Sequence, residues 1–365
     1  MNYRAIGLMS GSSLDGLDVV FVIFDEIAGK WTWEIEVAET IPYSAEWASR
    51  LRNAISLNAR DYALLHADYG HFTGKALNGF IDRHQLHHRV QLIGSHGHTT
   101  FHEPALGMTG QIGDGSAIAA ETGINVVSDL RAMDIALGGQ GAPMVPIGEQ
   151  KLFADYSLFL NIGGIANIAA HTGNSVIAYD VCPANRVLNM WAAKAGLEYD
   201  ENGGLASKGT LRDEPLVKMN DQEYYRQSWP KSLANDFGTG VIFKILEDAN
   251  LSVPDGLRTM TEHIAIQLTR SVGRLLMEMP DGPHKMLVTG GGAFNKFLIE
   301  RLSRSLSPMG VEVIVPEPQT VAFKEALIMA FCAILRWREE NTLLASVTGA
   351  KRDSIGGTVW IGQNA

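Results

Sequence analysis

The feature that most constrains this chain is a pattern met twice. A meander of strands closed by glycine-containing turns opens the sequence, and a second one starts at Ser157. In the first, the apolar run Ile6 to Met9 precedes a turn-rich stretch and then Leu17 to Phe24, β-branched and aromatic enough for a buried strand. Trp31, Trp33, Ile35 and Val37 then alternate with polar residues, the period of a third strand. In the second, Ser157 to Ile162, Ile165 to His171 and Ser175 to Asp180 read as three consecutive strands.

Helices and further strands follow each meander. Apolar residues recur at helical spacing over Ala45 to Leu57 and Tyr62 to Ile81; Val90 to Gly94 and Ile124 to Ser128 read as strands and Val145 to Phe153 as a helix. In the second half, helices are expected at Asn185 to Ala195, Thr259 to Met279 and Phe323 to Arg338, with strands at Met286 to Val288 and Val311 to Val315. The polar stretch Glu198 to Asn235 has no clear period and is expected to be a loop-rich insertion. The reading is a duplicated α/β architecture with a cleft between the halves. A length of 365 residues also exceeds one ordinary core and suits two domains. The expected division is 1–150, completed by 345–365, and 151–344.

Composition narrows the function. A formal charge of −10 argues against nucleic acid as the main partner, because such a protein needs surplus Lys and Arg. An anionic nucleotide remains allowed, since backbone amides or a divalent cation can supply local positive charge. No stretch approaches the uninterrupted apolar length that crosses a bilayer, the start has no signal-peptide character, and Cys182 and Cys332 are too few for a disulfide framework. A cytoplasmic setting is the expectation.

Four motifs can carry chemistry. Gly11, Ser12, Ser13, Leu14, Asp15, Gly16, Leu17 and Asp18 lie between two strands, where small residues let backbone approach an anion and Asp15 or Asp18 can orient hydrated magnesium. A solvated hairpin turn explains the same residues. Asn161 to Asn167, with Gly163 and Gly164, is a second such turn, and two turns facing each other would clamp a triphosphate. The run Gly290, Gly291 and Gly292, ending at Asn295, leaves bare backbone for a purine or ribose but lacks the spacing of a dinucleotide fingerprint or P-loop. Asp180 at a predicted strand end suits a general base; the competing role, capping the next helix, fits Asn185 better.

Polar clusters at Gly94 to His102, Gln111 to Asp114 and Ser128 to Asp134 each follow a predicted strand, as sugar-contacting loops do in α/β folds. His96, His98 and His102 also admit a zinc reading, at loose spacing and without a thiolate nearby.

Taken in order, Met9 to Asp18, Gly94 to Thr99, Asp129 to Pro143, Asn161 to Asn167 and Thr289 to Ala293 resemble the anhydro-N-acetylmuramic acid kinase family, a match running from Ile6 to Ala350. The resemblance implies a two-domain actin-like ATPase (ribonuclease H-like) fold, with duplicated mixed sheets flanked by helices and ATP with Mg²⁺ in an interdomain cleft. It implies a kinase that opens the 1,6-anhydro bridge of the sugar with water and phosphorylates it in peptidoglycan recycling, working as a homodimer. Asp180 aligns with the aspartate that activates the water, and His98, Thr99, Asp129, Arg131 and Asn185 with sugar-binding positions.

Two departures stand out. The family's usual Asp-Thr-Gly-Pro-Gly-Asn is here Asp180-Val181-Cys182-Pro183-Ala184-Asn185, and His98 replaces a usual Gln. They leave open a kinase for a related amino sugar or anhydrosugar, or a nucleotide-dependent sugar sensor without turnover.

Overall fold

The computed structural model describes residues 1–363 apart from Ser12, Asn174 and Asn235. The chain forms two compact units, Met1–Phe153 with Phe323–Ala365, and Ala154–Ala322. In the first, β1 (Asn2–Ser10), β2 (Gly16–Ile27) and β3 (Lys30–Pro42) form the expected antiparallel meander. Two helices follow, α1 (Ala45–Arg52), capped by Ser44 accepting from the Trp47 N–H, and α2 (Ala59–Arg83), capped by Asn58 on the Asp61 N–H. β4 (Leu92–Glu103) then runs parallel to β1, β5 (Met108–Ile112) folds back on β4, and α3 (Gly115–Thr122) leads to β6 (Asn125–Ser128), parallel to β4. α4 (Ala132–Ala136) and α5 (Val145–Leu152) complete this part.

The polar stretch expected as a loop from Gly94 is therefore a correction. β4 continues through it to Glu103, because β5 supplies a hydrogen-bonding partner that apolar patterning does not reveal. Ile6, Leu8, Phe21, Ile93 and Val126 on the sheet pack with Leu77, Phe80 and Ile118 of α2 and α3.

The second unit repeats the plan. β7 (Leu158–Ile162), β8 (Ile165–His171) and β9 (Val176–Pro183) are an antiparallel meander, followed by α6 (Asn185–Ala192), α7 (Asp213–Asn220), α8 (Phe243–Asp248) and α9 (Val253–Leu276). β10 (His284–Thr289) lies parallel to β7, and after α10 (Lys296–Leu306), β11 (Val311–Ile314) lies parallel to β10. The strand order β11-β10-β7-β8-β9 mirrors β6-β4-β1-β2-β3 in the first unit. That repeated order, a meander extended by two parallel strands, is the duplication expected from the patterning and the ribonuclease H-like form that the family resemblance implies. Sequence reading missed α7 inside the Glu198 to Asn235 stretch, while α10 follows the glycine run as a helix opening there would.

The chain then returns to the first unit through α11 (Pro318–Trp337), α12 (Ala345–Thr348) and β12 (Thr358–Trp360), which adds to the sheet beside β6. The return falls at Phe323, ahead of the expected residue 345, because α11 covers the second face of the first sheet. A Cβ at Gly7 would sit 1.9 Å from the Ala326 carbonyl oxygen, and one at Gly94 2.2 Å from that of Met329. Phe331 packs on Phe24 and Trp31 at ring separations of 5.7 and 4.9 Å. By length and composition α11 is apolar enough to cross a membrane, which the sequence reading did not anticipate, but 72% of its most apolar stretch is buried. A sheet covered on both faces demands such a helix.

Candidate active site

In the second unit the glycine turn, the candidate base and the glycine run come together. Gly163 and Gly164 join β7 to β8, and their carbonyls accept the first N–H groups of the next helix: Asn185 N–H donates to Gly163 O at 3.0 Å and Ala184 N–H to Gly164 O at 2.9 Å. A Cβ at either glycine would find no atom nearer than 3.5 Å, so this backbone is bare. Asp180 lies opposite Asn167, where the β8–β9 register slips: Ala166 faces Cys182 and Asn167 faces Asp180, leaving Val181 as an extra residue. The strand thus does not end at Asp180, as the sequence suggested, but bulges there and continues to Pro183. A bulge re-aims the flanking side chains, a device common beside active sites.

The Asp180 carboxylate accepts the Leu233 N–H at 2.9 Å, and its carbonyl accepts the Tyr224 hydroxyl at 2.5 Å. Burial raises its pKa above the ordinary carboxylate value, the Leu233 N–H pulling it partly back. A carboxylate of raised pKa is a stronger proton acceptor.

Asn185 does not cap α6. It is the first helical residue, Ala184 occupies the cap, and the Asn185 amide instead donates to Ile162 O at 3.0 Å. Asn185 thereby ties the hairpin to the glycine run, since a Cβ at Gly292 would meet Asn185 Oδ1 at 3.0 Å and Ile162 Cγ2 at 2.2 Å. Gly290 has φ +79°, and a Cβ there would lie 2.4 Å from Asn161 Oδ1. Only glycine fits. Asn295 caps α10, accepting the Leu298 N–H at 3.1 Å. Beside this run the Thr289 hydroxyl is buried with no hydrogen-bond partner among the described residues.

In the first unit, Ser12 lies outside the described residues. Gly11, Ser13, Leu14 and Asp15 form the β1–β2 loop, with Gly16, Leu17 and Asp18 opening β2. Leu14 takes φ +59°, rare for a non-glycine residue. Asp15 Oδ1 accepts from Ser13 Oγ at 2.7 Å and from Gly16 N–H at 3.0 Å, and Asp18 accepts from Thr40 at 2.6 Å. Burial, then the charges of Asp15 and Glu325, push the Asp18 pKa up.

A cavity of about 400 Å³ opens in this unit, lined by Gln111, Ser128 and Asp129 together with His66, His96 and Trp360. That lies within the range of small-molecule sites. Asp129 takes φ +54°, and burial raises its pKa. Arg131 stands behind the cavity wall, donating to His96 Nε2 at 3.0 and 2.8 Å and to Gly141 O at 2.7 Å. Burial, then the Arg131 charge, lowers the His96 pKa to about 3, so its ring is neutral. His98 and Thr99 fall outside the lining residues: His98 Nδ1 is 3.0 Å from Ser10 Oγ, and Thr99 is exposed.

The three histidines of the zinc reading are engaged separately, His96 with Arg131, His98 with Ser10 and His102 with Thr109 at 3.1 Å. Cys182 is fully buried, and burial pushes its thiol pKa up, the reverse of an activated nucleophile. The departing residues Val181, Cys182 and Ala184 all belong to the core, while Asp180 is half-buried. Sequence reading missed His66, whose Nδ1 accepts the Gly113 N–H at 3.2 Å, and Trp360, which donates to Ser128 Oγ at 3.0 Å. His66 sits at ordinary helix spacing on α2 and Trp360 arrives from the far end of the chain, so neither carried a local signal.

The family model for anhydro-N-acetylmuramic acid kinase matches residues 3–362. A protein of that name from Zymomonas mobilis is 36% identical over 97% of this chain and 99% of its own length. Those from Sulfurovum sp. and Haemophilus influenzae are 34% and 33% identical, over 98% and 95% of this chain and 99% and 94% of their own lengths. The chain belongs to the anhydro-N-acetylmuramic acid kinase family.

Proposed function

We propose that the chain is an ATP-dependent kinase that opens 1,6-anhydro-N-acetylmuramic acid with water and phosphorylates it to N-acetylmuramic acid 6-phosphate in cell-wall recycling. The observation that carries the reading is Asp180, a carboxylate of raised pKa fixed at a bulge by the Leu233 N–H. In the proposed step a water oxygen bonds to the anomeric carbon and passes a proton to Asp180. The bond from that carbon to the bridging oxygen breaks, and the released oxygen takes the γ-phosphoryl group of ATP, leaving ADP.

Bare backbone at Gly163 and Gly164 suits phosphate oxygens, and the Gly290 to Gly292 cradle with its unpartnered Thr289 hydroxyl suits the nucleoside. For magnesium, the hard carboxylate oxygens of Asp15 and Asp18 are a fitting donor set, and a cation would offset both the burial and the Asp15 charge that raise the Asp18 pKa. The ion would neutralise phosphate charge; Asp15 would hold it, in part through water. The 400 Å³ cavity, with its Trp360 ring and polar rim, suits an amino sugar contacted by Asp129. Arg131 would position it through His96, and His98 and Thr99 would act at its edge. A homodimer in the cytoplasm completes the reading.

The test supplies purified protein with magnesium-ATP and the anhydro sugar, follows ADP release and weighs the product. A product heavier by the elements of phosphate and water supports the proposal. ADP release with a preference for a sugar lacking the bridge would refute it.

A further inference from the structure

On the side of β9 marked by Tyr179 and Val181, the second unit holds a small cavity of about 10 Å³ that the reaction does not use. Its walls include Lys231, Arg270 and Arg274 with Gln227, Gln267 and Ser271. No carboxylate lines it, and among the described residues none of the three cations is paired with one. In a chain of net charge −10, three unpaired cations at one cavity need an explanation.

Sequence spacing makes the concentration deliberate. Gln267, Arg270, Ser271 and Arg274 recur at i, i+3, i+4 and i+7, a single stripe on α9. Arg270 and Arg274 are like charges four residues apart, an arrangement that works against a helix unless something negative intervenes. Lys231 crosses from the neighbouring segment, its ammonium 4.4 Å from the Tyr224 ring centre and donating to Tyr224 O at 3.2 Å. Arg274 donates to Tyr225 O at 3.1 Å, while Arg270 is exposed at the rim.

We propose that this cavity binds a phosphate-class oxyanion, free phosphate or a phosphate monoester, and that its occupation steadies the segment Trp229 to Leu233. A space of about one water volume admits one or two oxygens of a tetrahedral anion, the rest facing outward against Arg270. Guanidinium forks and amide donors match phosphate geometry. The segment matters because Lys231 lines the cavity while Leu233, two residues on, holds the Asp180 carboxylate. An anion on Lys231 thus bears on the base that the proposed reaction uses. The regulatory half rests on that reading of Asp180; the binding half does not.

The experiment titrates inorganic phosphate into the full-length protein by calorimetry, with a non-hydrolysable ATP analogue and magnesium filling the nucleotide loops. Saturable binding that weakens at least tenfold in Arg270→Ala is expected, and a melting temperature close to the parent's, Arg270 being exposed. Amide exchange over residues 229–233 should slow on adding phosphate to the native chain and not to the variant. Glycerol 3-phosphate in parallel identifies the source: tighter binding than inorganic phosphate indicates a monoester, weaker binding free phosphate. Absent saturable binding, an unchanged affinity in Arg270→Ala, or equal binding of acetate would overturn the site. Binding without altered exchange would overturn its link to Asp180.

Discussion

Replacing Asp180 by Asn separates the chemistry from the fold. The amide oxygen of Asn can still accept the Leu233 N–H, now as a neutral acceptor in place of a carboxylate at 2.9 Å. Charge-assisted bonds contribute about 1.5–3 kcal/mol and neutral ones about 0.5–1.5, so roughly 1 kcal/mol is lost there. Against that, the substitution removes a half-buried charge whose raised pKa shows it to be desolvated. A carboxylate with a raised folded pKa adds stability at low pH that is lost as pH rises through that value. The wild type therefore carries this cost at neutral pH and Asp180→Asn does not. The two effects oppose, leaving the melting temperature of Asp180→Asn within a few degrees of the parent at pH 7 and comparatively lower as pH falls toward 3.8, below which the difference is complete. Loss of a general base lowers kcat by about 10²–10⁴, or about 3–5 kcal/mol of barrier. Catalysis should collapse while folding and nucleotide affinity stand, as stopped-time ADP assays, calorimetry with ADP and thermal melts would register together. A kcat within threefold of the parent would refute the role of Asp180.

Other substitutions probe the remaining parts. A Cβ at Gly163 finds no atom nearer than 3.5 Å, so Gly163→Val should fold normally and raise the dissociation constant for ADP at least tenfold; unchanged affinity would remove this turn from the nucleotide site. Gly7→Ala drives a methyl to 1.9 Å from the Ala326 carbonyl and should cost about 3 kcal/mol in urea unfolding, whereas a loss under 1 kcal/mol would contradict the close packing of α11. The buried pair of Lys324 and Glu149, 2.8 Å apart, should lose about 3–5 kcal/mol in Lys324→Met and recover much of it in Lys324→Met with Glu149→Leu. For His96, a pKa lowered to about 3 means that neutral-ring stability is present above pH 6.5 and is lost as pH falls from there toward 3. Imidazole NMR signals should show no titration of His96 between pH 5 and 8.

The meanders, their glycine turns and the amphipathic helices were legible because each is local: alternation, helical spacing and bare turn residues all sit within a dozen positions. The candidate base was legible by type but not by posture. The bulge at Val181 depends on register against β8, and register is a property of two strands. The same holds for β4, whose polar half looks like loop until β5 pairs with it. Asn185 looked like a cap because its type suits one, yet the carbonyl of Ile162 claims its amide. Cys182 and Ala184 looked like changes to a site; burial shows them to be core substitutions beside an unchanged aspartate.

The placement of the second unit between the two pieces of the first has a consequence for synthesis. Residues 154–322 are contiguous and complete their own sheet, so they can fold as soon as they leave the ribosome. The first unit cannot, because α11 covers one face of its sheet and β12 its edge, and both are made last. At about 5–20 residues per second, the nascent β1–β4 surface waits roughly 10–45 s with Gly7 and Gly94 exposed where α11 will lie. The earliest-made strands are therefore the last to be buried, and that apolar face is where a chaperone would be needed and where truncation at the C-terminus would do the most harm.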